Sequence, residues 1–235
     1  MIATPPQDIL QAQYWARLSP EQIQARIRVQ LQQARIPSLY RTCTFQTLDP
    51  SLDPEAFQVC QDYAEQGEYQ GRKGLLLMGI PGNGKTSLAV AILRRTIEQT
   101  QGRYSVRFWN VPAGLAQIRR RFDDQQERQT LLDLTYNRLL VLDDLGQQQP
   151  TPWAKEQLYT LLENMAGKQV VLTTNHTPAQ LKQTLDPALV SRLRDLCHPV
   201  VFKGPDQRGR RHPHITERQN SCAFSQGASH GHASL

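Results

Sequence analysis

The sequence has no long apolar run, which is the first limit on what this 235-residue chain can be. No stretch approaches the roughly 20 apolar residues that a membrane-spanning helix needs. The first residues, MIATPPQDILQAQYW, have neither a basic start nor an apolar centre, so they do not read as a secretion signal. These absences argue against membrane and secreted proteins and favour a cytoplasmic one.

Cysteine is scarce as well: four cysteines stand far apart, with no Cys-x-x-Cys pair among them. Structural zinc sites usually take their ligands in close pairs, and disulfide frameworks belong mainly to small secreted domains. We therefore expect reduced thiols that mostly fill the core. With 39% hydrophobic and 20% charged residues, the chain can bury the core of one ordinary domain.

Positive charge is concentrated at the two ends of the chain, although the net charge is only +6. Residues 1–36 carry four arginines against two acids, and residues 203–235 carry five basic residues against two acids. The ends are therefore basic around a nearly neutral middle. Basic ends are typical of proteins that bind an anionic partner such as nucleic acid, but also of solvated surfaces.

The spacing of apolar residues changes along the chain. Residues 8–36 have helical spacing with a new start at Ser19-Pro20-Glu21, which predicts a helical hairpin or one kinked helix that packs on the main domain or another protein. From residue 74, short apolar runs alternate with helical stretches, which predicts an α/β sandwich with a parallel sheet. The five predicted strands are 75–78, 106–109, 139–142, 170–173 and 199–202.

The predicted strands divide the chain into three parts. Helices are expected over 85–99, 113–122 and 153–165, and after Pro178 and Pro187. We expect an N-terminal helical segment over 1–36, one domain over 37–210, and a basic, Ser- and His-containing tail over 211–235 that is disordered.

A glycine-rich loop after the first strand carries the strongest chemical signal, a full G-x-x-x-x-G-K-[ST] pattern. Such glycines let the backbone wrap closely around a phosphate, and the helix that follows adds the positive end of its dipole. Lys85 would reach the β- and γ-phosphates of ATP, and the Thr86 hydroxyl would ligate Mg²⁺. The predicted nucleotide contacts are Gly79, Ile80, Pro81, Gly82, Asn83, Gly84, Lys85, Thr86 and Ser87.

Polar residues also end the third and fourth strands. Asp143 and Asp144 follow the run Leu-Leu-Val-Leu, so Asp143 can hold Mg²⁺ through water and Asp144 can polarise the attacking water. A helix cap or a turn would also place two acids there. Asn175 ends the fourth strand; beside the carboxylate strand it would face the γ-phosphate, although Asn commonly ends strands as a turn residue.

Together, the phosphate loop, the segment LLVLDDLG and the strand end TTN resemble AAA+ ATPases, and in particular helicase loaders of the DnaC/DnaI type. The lead-in PSLYRTCTF (37–45) and the segment LVSRL (189–193) support the resemblance. It covers roughly residues 37–210. It implies an AAA+ P-loop sandwich over that range, with no full helical lid domain after the fifth strand.

The resemblance also implies roles for residues that no single motif identifies. It makes Arg192 an arginine finger, which would act on ATP of a neighbouring subunit in a self-associated form, and Arg208 the arginine of a sensor-2-like element. It matches 113–122 with a helical element associated with single-stranded DNA. Three arginines lie on or beside that element: Arg119, Arg120 and Arg121. The alternatives are an ion pair of Arg192 with Asp195 and a dipole-favoured helix end for the three arginines.

The function that the resemblance implies is an ATP-hydrolysing loader that delivers a replicative helicase to single-stranded DNA, with the N-terminal helices docking on the helicase. The chain departs from some loaders because it has no cysteine pairs for an N-terminal zinc domain. One alternative is an IstB-like transposition helper that acts on duplex DNA. Another is a nucleotide-gated binding module with negligible turnover, because many ATPases have Glu where this chain has Asp144.

Overall fold

The computed structural model describes residues 18–120, 124–148 and 151–208, with only the backbone of 124–129. These residues form one five-stranded sheet in the order β2-β3-β4-β1-β5, and every neighbouring pair of strands is parallel. The strands are β1 (Gly74–Met78), β2 (Val106–Asn110), β3 (Leu139–Asp143), β4 (Gln169–Thr174) and β5 (Cys197–Val201). The predicted α/β class and the parallel sheet are confirmed.

Helices connect the strands and cover both faces of the sheet. Those in the described ranges are α1 (Pro20–Gln33), α2 (Pro54–Gln66), α3 (Lys85–Gln99), α4 (Val111–Arg119), α5 (Asp124–Thr135), α6 (Pro152–Glu163), α7 (Pro178–Thr184) and α8 (Pro187–Leu196). The helix after the phosphate loop has the predicted bounds, and the other predicted helices agree within a few residues.

Five of these helices begin with the same local chemistry: a short polar side chain caps the first turn and proline follows it. Proline fits the first helical position because its missing N–H would have no partner there. The caps are Ser19, Asp53, Thr151, Thr177 and Asp186. The sequence alone therefore determines where most of these helices start.

The sheet buries alternate side chains in two separate cores. Leu75, Leu77 and Val141 face α1, α2 and α3, whereas Leu76 and Leu142 face α4 to α8. This period-2 alternation, with both faces covered, explains why the strands read as continuous apolar runs.

Two helices were not predicted: α2, and α5 before β3. Helix α1 packs on the main domain, where the backbone N–H of Phe108 in β2 donates to the carbonyl of Ala34 over 2.8 Å. The predictions for residues 1–17 and for the tail 211–235 lie outside the described residues. Within the described parts of the chain, no helix combines the length and the apolar character that crossing a membrane would need.

Candidate nucleotide site at the carboxyl ends of the strands

The phosphate loop turns directly from β1 into α3. Gly84 caps α3 in the left-handed conformation, with φ of 93°, which a residue with a side chain rarely adopts. Gly82 has φ of 79°, and a Cβ atom there would collide with the carboxylate of Asp206. The backbone N–H of Gln207 donates to the Gly82 carbonyl over 2.9 Å. The segment after β5 is therefore packed against the loop.

Lys85 is buried and its ammonium group is bound by the loop itself. The Nζ atom donates to the carbonyls of Gly79 (2.8 Å) and Ile80 (2.7 Å) and to Oδ1 of Asn83 (2.9 Å). Burial lowers the pKa of Lys85 to about 8, against the opposing effect of the nearby Asp144 carboxylate. The ammonium group thus stays at the centre of the loop, where phosphate oxygens would compete for it.

Asp143 is the most connected side chain of the site. Its Oδ1 atom accepts hydrogen bonds from the hydroxyls of Thr86 (2.8 Å) and Thr173 (2.7 Å), and Asn110 Nδ2 lies 3.4 Å from Oδ2. Burial raises the pKa of Asp143, as does the charge of Asp144, while the hydrogen bond from Thr173 opposes this. These four residues, Asp143, Thr86, Thr173 and Asn110, are called the Asp143 cluster below.

Asp144 leaves the strand in an unusual backbone conformation, with φ of 61°. Its N–H donates to the Thr173 hydroxyl (3.0 Å), and its Oδ2 accepts from Asn110 Nδ2 (3.1 Å). Non-glycine residues in the left-handed region often mark functional sites, because such strain persists only where the surroundings hold it. The two acids are therefore held by three strands, not by a local turn alone.

Two more predicted residues, Asn175 and Arg208, lie near this cluster or the phosphate loop. Asn175 follows β4 directly, and β4 lies between β3 and β1, so Asn175 is at the same edge of the sheet as Asp143. Arg208 lies at the phosphate loop of its own chain, since a Cβ atom on Gly82 would come within 3.0 Å of its Cγ atom.

Arg192 is held elsewhere, on α8. Its guanidinium forms an ion pair with Glu163 at the end of α6, over 2.6 Å. The predicted alternative partner, Asp195, is not the partner in the structure. Arg192 therefore bridges α6 and α8, whereas Arg208 lies at the phosphate loop.

Several site residues were missed by sequence reasoning. Asn110 joins both acids and also caps α4 by accepting from the N–H of Ala113. A polar residue that ends a strand beside the carboxylate strand is the signal that would have found it. Tyr40 lies within hydrogen-bonding reach of Thr86; partial burial and the charges of Asp143 and Asp144 raise its pKa.

Ser87 and the arginines of α4 complete the predicted set. Ser87 hydrogen-bonds the half-buried thiol of Cys43, so the lead-in to β1 runs along the start of α3. Arg119 and Arg120 are exposed at the end of α4, and Arg121 lies outside the described residues.

The parallel sheet, the phosphate loop at the end of β1 and the carboxylates at the end of β3 define an AAA+ P-loop fold. A model of the IstB-like ATP binding protein family matches residues 17–214. The chain belongs to that family.

Individual relatives agree with this assignment. The chain is 28% identical over 189 residues to the replicative helicase loader DnaI of Bacillus subtilis, covering 72% of this chain and 58% of DnaI. It is 25% identical over 185 residues to the insertion sequence IS21 putative ATP-binding protein of Pseudomonas aeruginosa, covering 76% and 68% of the two chains. The chain thus spans about three-fifths of the length of DnaI.

Solved structures show the same fold. The DnaC helicase loader superimposes with a TM-score of 0.59 and 23% identity, covering 71% of this chain and all of that one. DnaI superimposes with a TM-score of 0.61 and 22% identity, covering 74% and 95%. At these sequence identities, the superpositions show a shared fold and nothing about function.

Proposed function

We propose that this protein is an ATP-driven helicase loader of the cytoplasm, which binds and hydrolyses ATP and delivers a replicative helicase to single-stranded DNA. The observation that supports this most is the Asp143 cluster beside Lys85, on a chain whose relatives include a replicative helicase loader. We take the ATPase domain to be residues 37–210.

The residues of the site fit ATP and Mg²⁺. Thr86 and Asp143 already share a hydrogen bond, and hydroxyl and carboxylate oxygens are the ligands that Mg²⁺ prefers. The buried Nδ2 atom of Asn83 has no hydrogen-bond partner among the described residues, so the loop offers a donor that a phosphate oxygen would satisfy. When bound, Mg²⁺ would neutralise phosphate charge during transfer.

The side chains at the strand ends would position and activate the attacking water. Asp144 would accept a proton from that water, and Asn110 would hold its carboxylate in place. Asn175, at the same edge of the sheet, would orient the water towards the γ-phosphate. Asp144 is one carbon shorter than Glu, which favours slow turnover.

Arg208 and Arg192 would contact ATP molecules bound to different subunits. Arg208 lies at the phosphate loop of its own chain, so it would contact the nucleotide in cis. Arg192 of α8 is paired with Glu163 of α6, and we propose that it leaves this ion pair to reach ATP held by a neighbouring subunit. Self-association through the ATP site would therefore complete the catalytic set.

The N-terminal segment, residues 1–36, would dock on the helicase. Helix α1 is fixed to β2 through Ala34 and keeps Val29 exposed, so part of its surface is open to a partner. This arrangement would couple helicase binding to the domain that holds ATP.

The test combines ATP turnover with helicase capture. Steady-state ATPase is measured with and without single-stranded DNA, and the host's replicative helicase is used as bait in a pull-down. We expect turnover that DNA changes, together with helicase capture that is weakened when the exposed Val29 of α1 is replaced by Glu, a change that leaves the buried residues of α1 in place. Helicase that fails to bind the full chain would contradict loading, and turnover no higher than that of Lys85→Ala would favour the nucleotide-gated module.

A second candidate is an IstB-like transposition helper, which the family model and the relative from Pseudomonas aeruginosa favour. Such a helper would act on duplex DNA. Stimulation of the ATPase by duplex but not single-stranded DNA, together with a transposase gene beside this one, would support the helper over the loader.

A further inference from the structure

The amino ends of β2 and β3 form a surface at the opposite edge of the sheet from the nucleotide site. The loop before β2, the loop before β3 and the residue after the end of α1 meet there. We call this surface the amino-end face and define it by Arg35, Tyr104, Arg107, Tyr136 and Arg138. None of these residues belongs to the motifs discussed above.

A cleft of about 420 Å³ lies in this face. Its walls include Gln30, Gln33, Arg35, Ser105, Arg107 and Asn137. Partial burial lowers the pKa of Arg107, and so does the positive charge of Arg35, while Asp133 opposes them. Arg35 and Arg107 thus share a cleft whose other lining side chains are uncharged. An anion bound between them would relieve their mutual repulsion.

The cleft is fixed by the backbone. Arg107 Nη1 donates to the Gln33 carbonyl over 2.9 Å, and Arg35 has φ of 56°, a conformation that glycine would adopt more easily. The N–H of Arg138 donates to the Ser105 carbonyl over 2.8 Å, which joins the two loops. The cations are therefore presented by a rigid edge of the domain.

Exposed aromatic rings lie on the same two loops. Tyr136 is 73% exposed and Tyr104 is 42% exposed. The guanidinium of Arg138 sits 5.3 Å from the centre of the Tyr104 ring. Rings interleaved with arginines are the combination by which proteins bind single strands, since bases stack on the rings and phosphates pair with the cations.

We propose that the amino-end face binds single-stranded nucleic acid, with one phosphate between Arg35 and Arg107, a second phosphate on the exposed Arg138 and a base stacked on Tyr136. Single strands fit better than duplex, because the bases of a duplex are already stacked on each other. The inference rests on the nucleic-acid binding in the proposed function, but it places the contact on the loops before β2 and β3 and not on Arg119 and Arg120 of α4.

The experiment measures binding of a fluorescein-labelled oligo(dT) 20-mer by anisotropy over a series of salt concentrations, with and without a non-hydrolysable ATP analogue. Tyr136→Ala should weaken binding about 5- to 150-fold, the equivalent of the roughly 1–3 kcal/mol measured per stacked base. Arg35→Ala with Arg138→Ala should make the log–log salt slope shallower by about 1.4, near 0.7 per phosphate contact.

Matched controls remove the same groups elsewhere on the surface. Tyr159→Ala removes a half-exposed ring from α6, and Lys182→Ala with Arg194→Ala removes two exposed charges from α7 and α8. An abasic strand of the same length tests stacking, because Tyr136→Ala should then have no effect.

The outcomes separate this inference from the proposed function. If the unaltered protein fails to bind the strand, both are overturned. If it binds, and the Tyr136 and arginine variants bind like their controls, only the amino-end face is wrong. Equal loss with the abasic strand would overturn the stacking role, and displacement of the strand by polyglutamate at matched charge would favour an acidic peptide instead.

Discussion

The two ends of the sheet differ in what their polar side chains contact. At the carboxyl ends, Thr86, Thr173 and Asn110 all contact Asp143 across three strands and the phosphate loop. At the amino ends, Tyr136 and Arg138 are exposed to solvent. One end is an interlocked, largely buried network, and the other is an open surface.

This difference matches two kinds of ligand. A small, multiply charged ligand such as ATP demands groups held in fixed positions, and buried hydrogen bonds provide that because each donor has few alternatives. A long, flexible strand tolerates variation, so exposed rings and cations suffice. The proposed division of labour between the two ends can therefore be tested by removing groups from each.

The largest effect is expected at Arg192. Arg192→Ala should bind ATP normally, since Lys85, Thr86 and Asp143 remain, but its kcat should fall by about 10³–10⁵, or roughly 4–7 kcal/mol. Steady-state ATPase assays measure the change in kcat, and nucleotide titration measures the affinity for ATP. If Arg192 only bridges α6 and α8, the loss should be that of a surface ion pair, about 0.2–1 kcal/mol of stability.

Two controls sharpen this prediction. Glu163→Gln breaks the ion pair but keeps the arginine, so its turnover should match or exceed that of the unaltered protein. Mixing Arg192→Ala with Asp144→Asn should restore part of the activity, because the second variant still supplies an arginine to its neighbour. No recovery, with subunit exchange shown independently, would place Arg192 in cis or outside catalysis.

The next effect is expected at Lys85. Lys85→Ala should weaken binding of an ATP analogue about 100-fold or more, since a hydrogen bond from a charged group contributes roughly 1.5–3 kcal/mol and the ammonium can make several. The fold should stay intact because, in the described parts of the chain, the hydrogen bonds of the ammonium go to the loop itself. Calorimetry measures affinity, circular dichroism checks the fold, and Lys182→Ala serves as the exposed control. Unchanged affinity would refute the phosphate-loop assignment.

A smaller effect should separate two adjacent threonines of β4. Thr173 donates to Asp143, whereas Thr174 donates to the carbonyl of Leu145, and both are buried. Replacing either by Val should cost about 1–3 kcal/mol in urea unfolding. Only Thr173→Val should also lower kcat, by about tenfold, because it frees the carboxylate of Asp143. Equal losses of activity would mean that the network stabilises the fold without positioning the acid.

Much of this fold was predictable because its signals are local. The apolar runs that mark the strands, and the proline starts of α1, α7 and α8, depend on a few neighbouring residues. The same signal, Asp53-Pro54, opens α2, so the start of this helix was also predictable although it was not predicted. Helix α5 has a largely polar sequence, so its apolar stripe is weak and no such signal was available.

Residues of the site were predictable only where they belong to a short sequence motif. Lys85, Thr86 and Asp143 follow from spacing along the chain. Asn110 reaches the site because β2 lies beside β3, and Tyr40 reaches it through the path of the lead-in before β1. The ion pair of Arg192 with Glu163 joins two helices separated by β4 and α7, so the sequence suggested the nearer Asp195 instead. Long-range pairs depend on packing, which spacing along the chain does not encode.

The smallest expected effect concerns DNA contacts made by the arginines at and after the end of α4. Replacing Arg119, Arg120 and Arg121 by Ala should make the salt dependence of single-stranded DNA binding shallower, by about 0.7 in log–log slope for each arginine that contacts a phosphate. Arg119 and Arg120 are exposed at the end of α4, so their loss should leave the free energy of unfolding nearly unchanged.

The comparison of the two ends then becomes quantitative. If these arginines and the amino-end face contact the same strand, combining the three substitutions with Arg35→Ala and Arg138→Ala should reduce the slope by the sum of the separate changes. If the α4 variant alone keeps the slope of the unaltered protein, the DNA contact lies elsewhere, and the amino-end face carries it only when its own variants reduce the slope. A helix end whose arginines merely favour the dipole would give that unchanged slope, because such charges contact water and not phosphate.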